Sequence, residues 1–153
     1  MQHFIKKGLI LLVLYISATI TGYAENNNAD TMQKNFSAYN YPQTREHLIN
    51  AINRNNLVLF GEFDHVKAAQ SVQLTMPPTT VLVFGTPLAG TPLMLAHPDL
   101  ALDLPFRVLI SQQQDGRVLV SYHPMESLQV HGLDTASVNT LKKLEKLVQN
   151  AIR

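Results

Sequence analysis

TTVLVFGTPLAGTPLMLAHPDLALDLP, residues 79–105, is the stretch on which the fold turns. Its first third is a continuous apolar run, Val81-Leu82-Val83-Phe84, bounded by turn-forming residues. A run of that length reads as a buried strand. Gly85-Thr86-Pro87 closes the strand. Thr91-Pro92 then pairs a capping residue with a proline, which predicts a short helix starting there. His97-Pro98 interrupts that helix. The stretch holds four prolines and two glycines and no lysine or arginine. That composition shapes a chain; it does not equip one for an obvious reaction.

Downstream, residues 106–110 and 118–122 read as two strands. Asp115-Gly116 between them is a hairpin signal, because a tight turn needs a residue at positive φ. The final segment is amphipathic. Val138, Leu141, Leu144, Leu147, Val148 and Ala151 fall on one helical face, and Lys142, Lys143, Lys146 and Gln149 on the other. Asp134 or Thr135 caps its start. Upstream, residues 36–41 read as a first strand. Pro42 suits the first turn of a helix with Leu48, Ile49 and Ile52 on its apolar face. Asn53-Arg54-Asn55-Asn56 ends it. Residues 57–63 read as a second strand, and Asp64 as the cap of a short helix over residues 66–74, broken by Pro77-Pro78. The predicted order is β-α-β-(α)-β-(α)-β-β-α. Hairpins with a long terminal helix place it in the α+β class, an antiparallel sheet covered by helices.

The N-terminus has the three parts of a secretory signal over residues 1–24: Lys6 and Lys7, an uncharged run over residues 8–24, and Gly22-Tyr23-Ala24 as a cleavage site. The apolar run falls short of the ~20 residues of a membrane span. Residues 25–34 form a polar leader, expected to be disordered or to enter a strand, and residues 35–153 a single domain. Export to the periplasm, with no membrane span after signal removal, is the resulting expectation. Without Lys6 and Lys7, the 12 basic residues of the chain no longer outnumber its 11 acidic ones. With no basic patch and no tryptophan, nucleic-acid binding is not expected. The absence of cysteine excludes disulfides, thiolate nucleophiles and cysteine metal sites.

Few constellations carry chemistry. Glu62-Phe63-Asp64-His65 is the best local cluster for acid/base work, but it lacks the paired-histidine spacing of a zinc helix, so no metal set is assigned. Capping alone also accounts for Asp64. His131, beside Gly132, is a candidate proton carrier. Asp103 sits in an apolar segment and needs a partner if buried. Arg107, on the same strand face, is the default partner, and a pocket carboxylate is the alternative. The amide groups at the start of a Thr91 helix could hold a carboxylate, although a plain structural turn explains the glycines and prolines equally well. None of the serines lies in a Gly-x-Ser-x-Gly elbow.

Several of these pieces together resemble a known family, the bacterial and archaeal "domain of unknown function 302". The resemblance is carried by Phe63-Asp64-His65, Pro77-Pro78-Thr79-Thr80, Val83-Phe84-Gly85, Gly90-Thr91-Pro92-Leu93-Met94, Leu102-Asp103-Leu104-Pro105, Asp115-Gly116 and His131-Gly132-Leu133. It implies a fold similar to the TATA-binding-protein-like class, β-α-β-β-β-β-α, with a curved antiparallel sheet. It implies neither DNA binding nor any settled activity. The family more often has Asn where Thr86 stands. It also has an aromatic-acidic strand end where Ser111-Gln112-Gln113 stands, so a polar role of that strand end does not carry over.

Two functional expectations follow. The first is a binding or accessory module, with Phe84, Leu93, Met94 and Leu104 lining an apolar pocket and His65 or His131 orienting a small-molecule ligand. The second is a small enzyme or metal-dependent protein built on Asp64, His65 and His131, which requires those imidazoles to converge. The candidate ligand-binding residues are Asp64, His65, Gly85, Pro87, Gly90, Thr91, Met94, Asp103 and His131. No catalytic residue or cofactor is named, and a homodimer is compatible with the sequence.

Overall fold

The computed structural model describes residues 32–153. The expected signal over residues 1–24, and the leader up to residue 31, lie outside the described residues. The last part of that leader is ordered: Gln33 and Lys34 belong to the first strand, β1 (Gln33–Phe36), which pairs antiparallel with a strand near the end of the chain.

β1 ends earlier than residues 36–41 predict, because Asn40 claims the following residues for a helix. The Asn40 side chain accepts from the Gln43 N–H at 3.0 Å, and the Gln43 side chain accepts from the Asn40 N–H at 3.4 Å. This reciprocal box fixes the start of α1 (Tyr41–Arg54), with Pro42 in its first turn. Thr44, Leu48 and Ile52 form its buried face. β2 (Val58–Asp64) follows. Asp64 then caps α2 (His65–Ser71), accepting from Val66 and Lys67 N–H at 3.0 and 3.2 Å.

β3 (Thr79–Gly85) leads into α3 (Pro87–Ala96), which starts four residues before the predicted Thr91. Both Thr-Pro pairs fit a helix start, but the Thr86 carbonyl accepts from Gly90 N–H at 3.0 Å, so the first turn closes there. Pro92 consequently lies inside the helix. A 3-10 segment over Pro98–Leu102 precedes β4 (Phe106–Gln112) and β5 (Val118–Tyr122). The hairpin between them has Gly116 at φ +84°, and the Gly116 N–H donates to the Gln113 carbonyl at 3.0 Å. A second 3-10 segment, Met125–His131, ends at Gly132 with φ +87°. α4 (Thr135–Ala151) closes the chain, with Asp134 accepting from Ser137 N–H at 2.8 Å.

The five strands form one antiparallel sheet in the order β1-β5-β4-β3-β2. The element order is therefore α+β, β-α-β-β-β-β-α with α2 and α3 as short insertions. Alternation along β3 sends Thr80, Leu82 and Phe84 to the buried face and leaves Val81 and Val83 half-buried on the other. Across the buried face Phe84, Phe106 and Tyr122 stack edge to face, with centroids 5.6 and 5.4 Å apart. The Gln149 amide donates to the Tyr122 hydroxyl at 3.0 Å, which ties this aromatic ladder to α4. Burial raises the Tyr122 hydroxyl above its ordinary pKa.

Candidate functional site

The glycine-proline block of β3 and α3 does not fold onto itself. Gly85, Pro87, Gly90 and Met94 line one side of an apolar cavity of about 220 Å³. Leu104 lines it just before β4 and Phe106 at its start, Leu57 just before β2 and Phe60 from within it, and Leu141 and Leu144 from α4. Its position follows from the topology. β3 delivers α3 at the sheet end where Phe84 pairs with Phe106, and α4 crosses the same end. The wall is almost wholly apolar, with Thr86, Thr140 and Lys143 its polar contributors. A Cβ built on Gly90 would meet nothing closer than the Met94 methyl at 3.8 Å, so the glycine leaves space inside the cavity.

Other expected wall residues take different places. Phe84 is fully buried in the core. Leu93 packs half-buried against that core. Thr91 is exposed on α3 and caps nothing, because the helix began at Pro87. No carboxylate site at a Thr91 helix start exists for that reason.

The polar candidates do not converge. Asp64 pairs with Thr80 at the opposite end of β3 from Gly85. Those two ends are separated by about 16 Å at the strand rise of ~3.3 Å per residue. Asp64 is occupied as a cap, and His65 is exposed in the first turn of α2. Nearby, Arg45 holds Glu62 in a two-pronged ion pair at 2.5 and 2.6 Å. Asp103 and His131 meet at the other end, with Nε2 of His131 2.9 Å from Oδ2 of Asp103. This pair replaces the expected Asp103–Arg107 pair. Arg107 donates instead to the Leu102 carbonyl at 2.6 Å. The Asp103–His131 contact staples the two 3-10 segments together, and neither residue lines the apolar cavity. Among the described residues, no three His, Asp or Glu side chains group so as to hold a metal ion.

Sequence reasoning missed Leu57 and Phe60, Thr86 and Ala89, Pro105 and Phe106, and all four contributors from α4, Thr140, Leu141, Lys143 and Leu144, as wall residues. Helical periodicity assigned Lys143 to the solvent face of α4, where it does lie; only tertiary packing at this end of the sheet brings it to the cavity rim. Lys143 also lines a second, open groove of about 890 Å³ between α1 and α4.

Comparison with known proteins gives a consistent picture of the fold. The family model "Domain of unknown function DUF302" matches residues 32–151. The crystal structure of an uncharacterized conserved DUF302 protein from Bacillus stearothermophilus superposes with a TM-score of 0.66 at 15% identity, over 79% of this chain and 94% of that one. Two curated relatives are the fluoride-specific ion channel FluC 1 of Brucella suis and FluC 2 of Brucella melitensis, each 33% identical over 87 residues, 56% of this chain. The chain matches only about a third of their length, 34% and 32% respectively.

Proposed function

The chain belongs to the DUF302 family, a domain of unknown function, and we propose that it is an exported module that binds a small apolar ligand in the cavity between α3 and α4. One observation carries this reading. Four residues of the glycine-proline block, Gly85, Pro87, Gly90 and Met94, come together on the wall of one apolar cavity. Burying an apolar group there yields about 25 cal/mol per Å² of surface removed from water. The wall offers few polar groups, so orientation falls to the rim, where Thr86, Thr140 and Lys143 stand. The acid/base reading on Asp64, His65 and His131 loses its support, since those residues lie at opposite sheet ends. Export rests on the signal-like residues 1–24; N-terminal sequencing of protein from an envelope fraction should begin at Glu25.

Calorimetric titration with octanol tests the cavity. Wild type should bind it saturably at one site. Gly90→Leu should lose binding while keeping its melting temperature, because the new side chain fills the cavity and removes a helix-interior glycine. Equal octanol isotherms for the two proteins would contradict the reading.

A second reading, an accessory module beside a membrane protein, is favoured by the Brucella relatives named as fluoride-specific ion channels. If it holds, deleting the gene lowers fluoride tolerance; unchanged growth in fluoride removes this reading.

A further inference from the structure

The apolar cavity and the open groove between α1 and α4 are neighbours: Leu57, Lys143 and Leu144 line both. The groove differs from the cavity in its chemistry. Arg54, Lys143 and Lys146 bring three cations to it, beside His47 and a single carboxylate, Glu46. The ion pairs among the described residues engage Arg45, Arg117, His131 and Lys142, and none of the three groove cations. The amides of Asn50 and Asn150 also line the groove and can donate to an anion, whereas the Asn55 amide donates to the Ala51 carbonyl at 2.8 Å.

From this junction we propose that the ligand is an anionic amphiphile. Its apolar tail occupies the cavity, and its negatively charged head lies in the groove among Lys143, Lys146 and Arg54. The inference rests on the cavity reading above and adds the chemical class of the head. The geometry assigns Lys143 the bridging position, its aliphatic stem against the tail and its ammonium at the head. Lysine side chains divide their environments in that way. Exposed cations act in high dielectric, so the head contributes selectivity and salt dependence while the tail supplies most of the affinity.

Octanoate and octanol, which share a tail and differ in the head, separate the two claims. Wild type should bind octanoate about tenfold more tightly than octanol at low salt, a difference of about 1.4 kcal/mol. Raising the salt should erode only the octanoate advantage. A double variant, Arg54→Gln with Lys146→Gln, should bind octanoate little better than octanol, with octanol affinity unchanged, since neither residue lines the apolar cavity. The charge-conserving pair Arg54→Lys with Lys146→Arg should keep the preference. Octanol bound as tightly as octanoate by wild type would overturn the anionic head and leave the cavity reading standing. Failure of wild type to bind either would overturn both. Phosphatidylglycerol vesicles added as competitor identify the source. Displacement of octanoate points to a bilayer lipid and no displacement to a free amphiphile, and the proposal holds in either case.

Discussion

At Asp64 one carboxylate accepts two backbone N–H groups at the start of α2, and this occupation decides its role. Asp64→Ala should cost about 0.5–2 kcal/mol of stability, the usual loss of a helix cap. His65→Ala should shift stability by less than about 0.5 kcal/mol, as an exposed side chain does. Urea midpoints of the two variants check this. A large loss in His65→Ala would instead give that imidazole a structural partner. Asp64 was legible in the sequence because a cap is a local relation between neighbours. The Asp103–His131 pair was not, since its members are 28 residues apart and meet only through the packing of two 3-10 segments. Arg107 was the nearer candidate in sequence, but the Leu102 carbonyl lies within its reach and takes its guanidinium.

Elements differ in how firmly they are held, and α3 is the loosest of the long helices. None of its residues is fully buried, whereas α1 and α4 each bury three. Leu88 and Leu95 face solvent at 88% and 80% exposure. Few buried contacts mean a low opening free energy. Amide exchange in α3 should therefore be faster than in α1 and α4, and octanol should slow it selectively; exchange as slow as in α1 would mean that α3 is held as firmly as α1. α4 offers a pH test. Asp134 accepts from Ser137 N–H, which holds its carboxyl below the ordinary value. A depressed carboxyl stabilises the fold above its unfolded value of ~3.9 and loses that contribution as pH falls through the folded one. Asp134→Asn keeps the cap but not the charge. Its melting temperature should fall below wild type at pH 6 and converge with it near pH 2, and a gap independent of pH would contradict the ionic origin. Both amphipathic helices were legible from their periodicity. The start of α3 was not, because Thr86-Pro87 and Thr91-Pro92 are the same local signal, and the choice between them depends on where β3 ends.

In the whole molecule, the cavity sits where the end of β3, the start of β4 and the side of α4 come together beneath α3. The α3 side of that wall was readable, as the glycine-proline block is contiguous in sequence. The α4 side was not, because Leu141, Leu144 and Lys143 reach the cavity through tertiary packing that periodicity alone leaves open. The same packing sets an apolar chamber beside a basic groove. Methyl chemical shifts of wild type titrated with octanol show whether that chamber takes a ligand. Saturable shifts should be confined to Met94, Leu104, Leu141 and Leu144, with the exposed methyls of Leu88 and Leu95 unmoved. Shifts centred on Leu88 and Leu95, or none at saturating octanol, would contradict binding in the chamber.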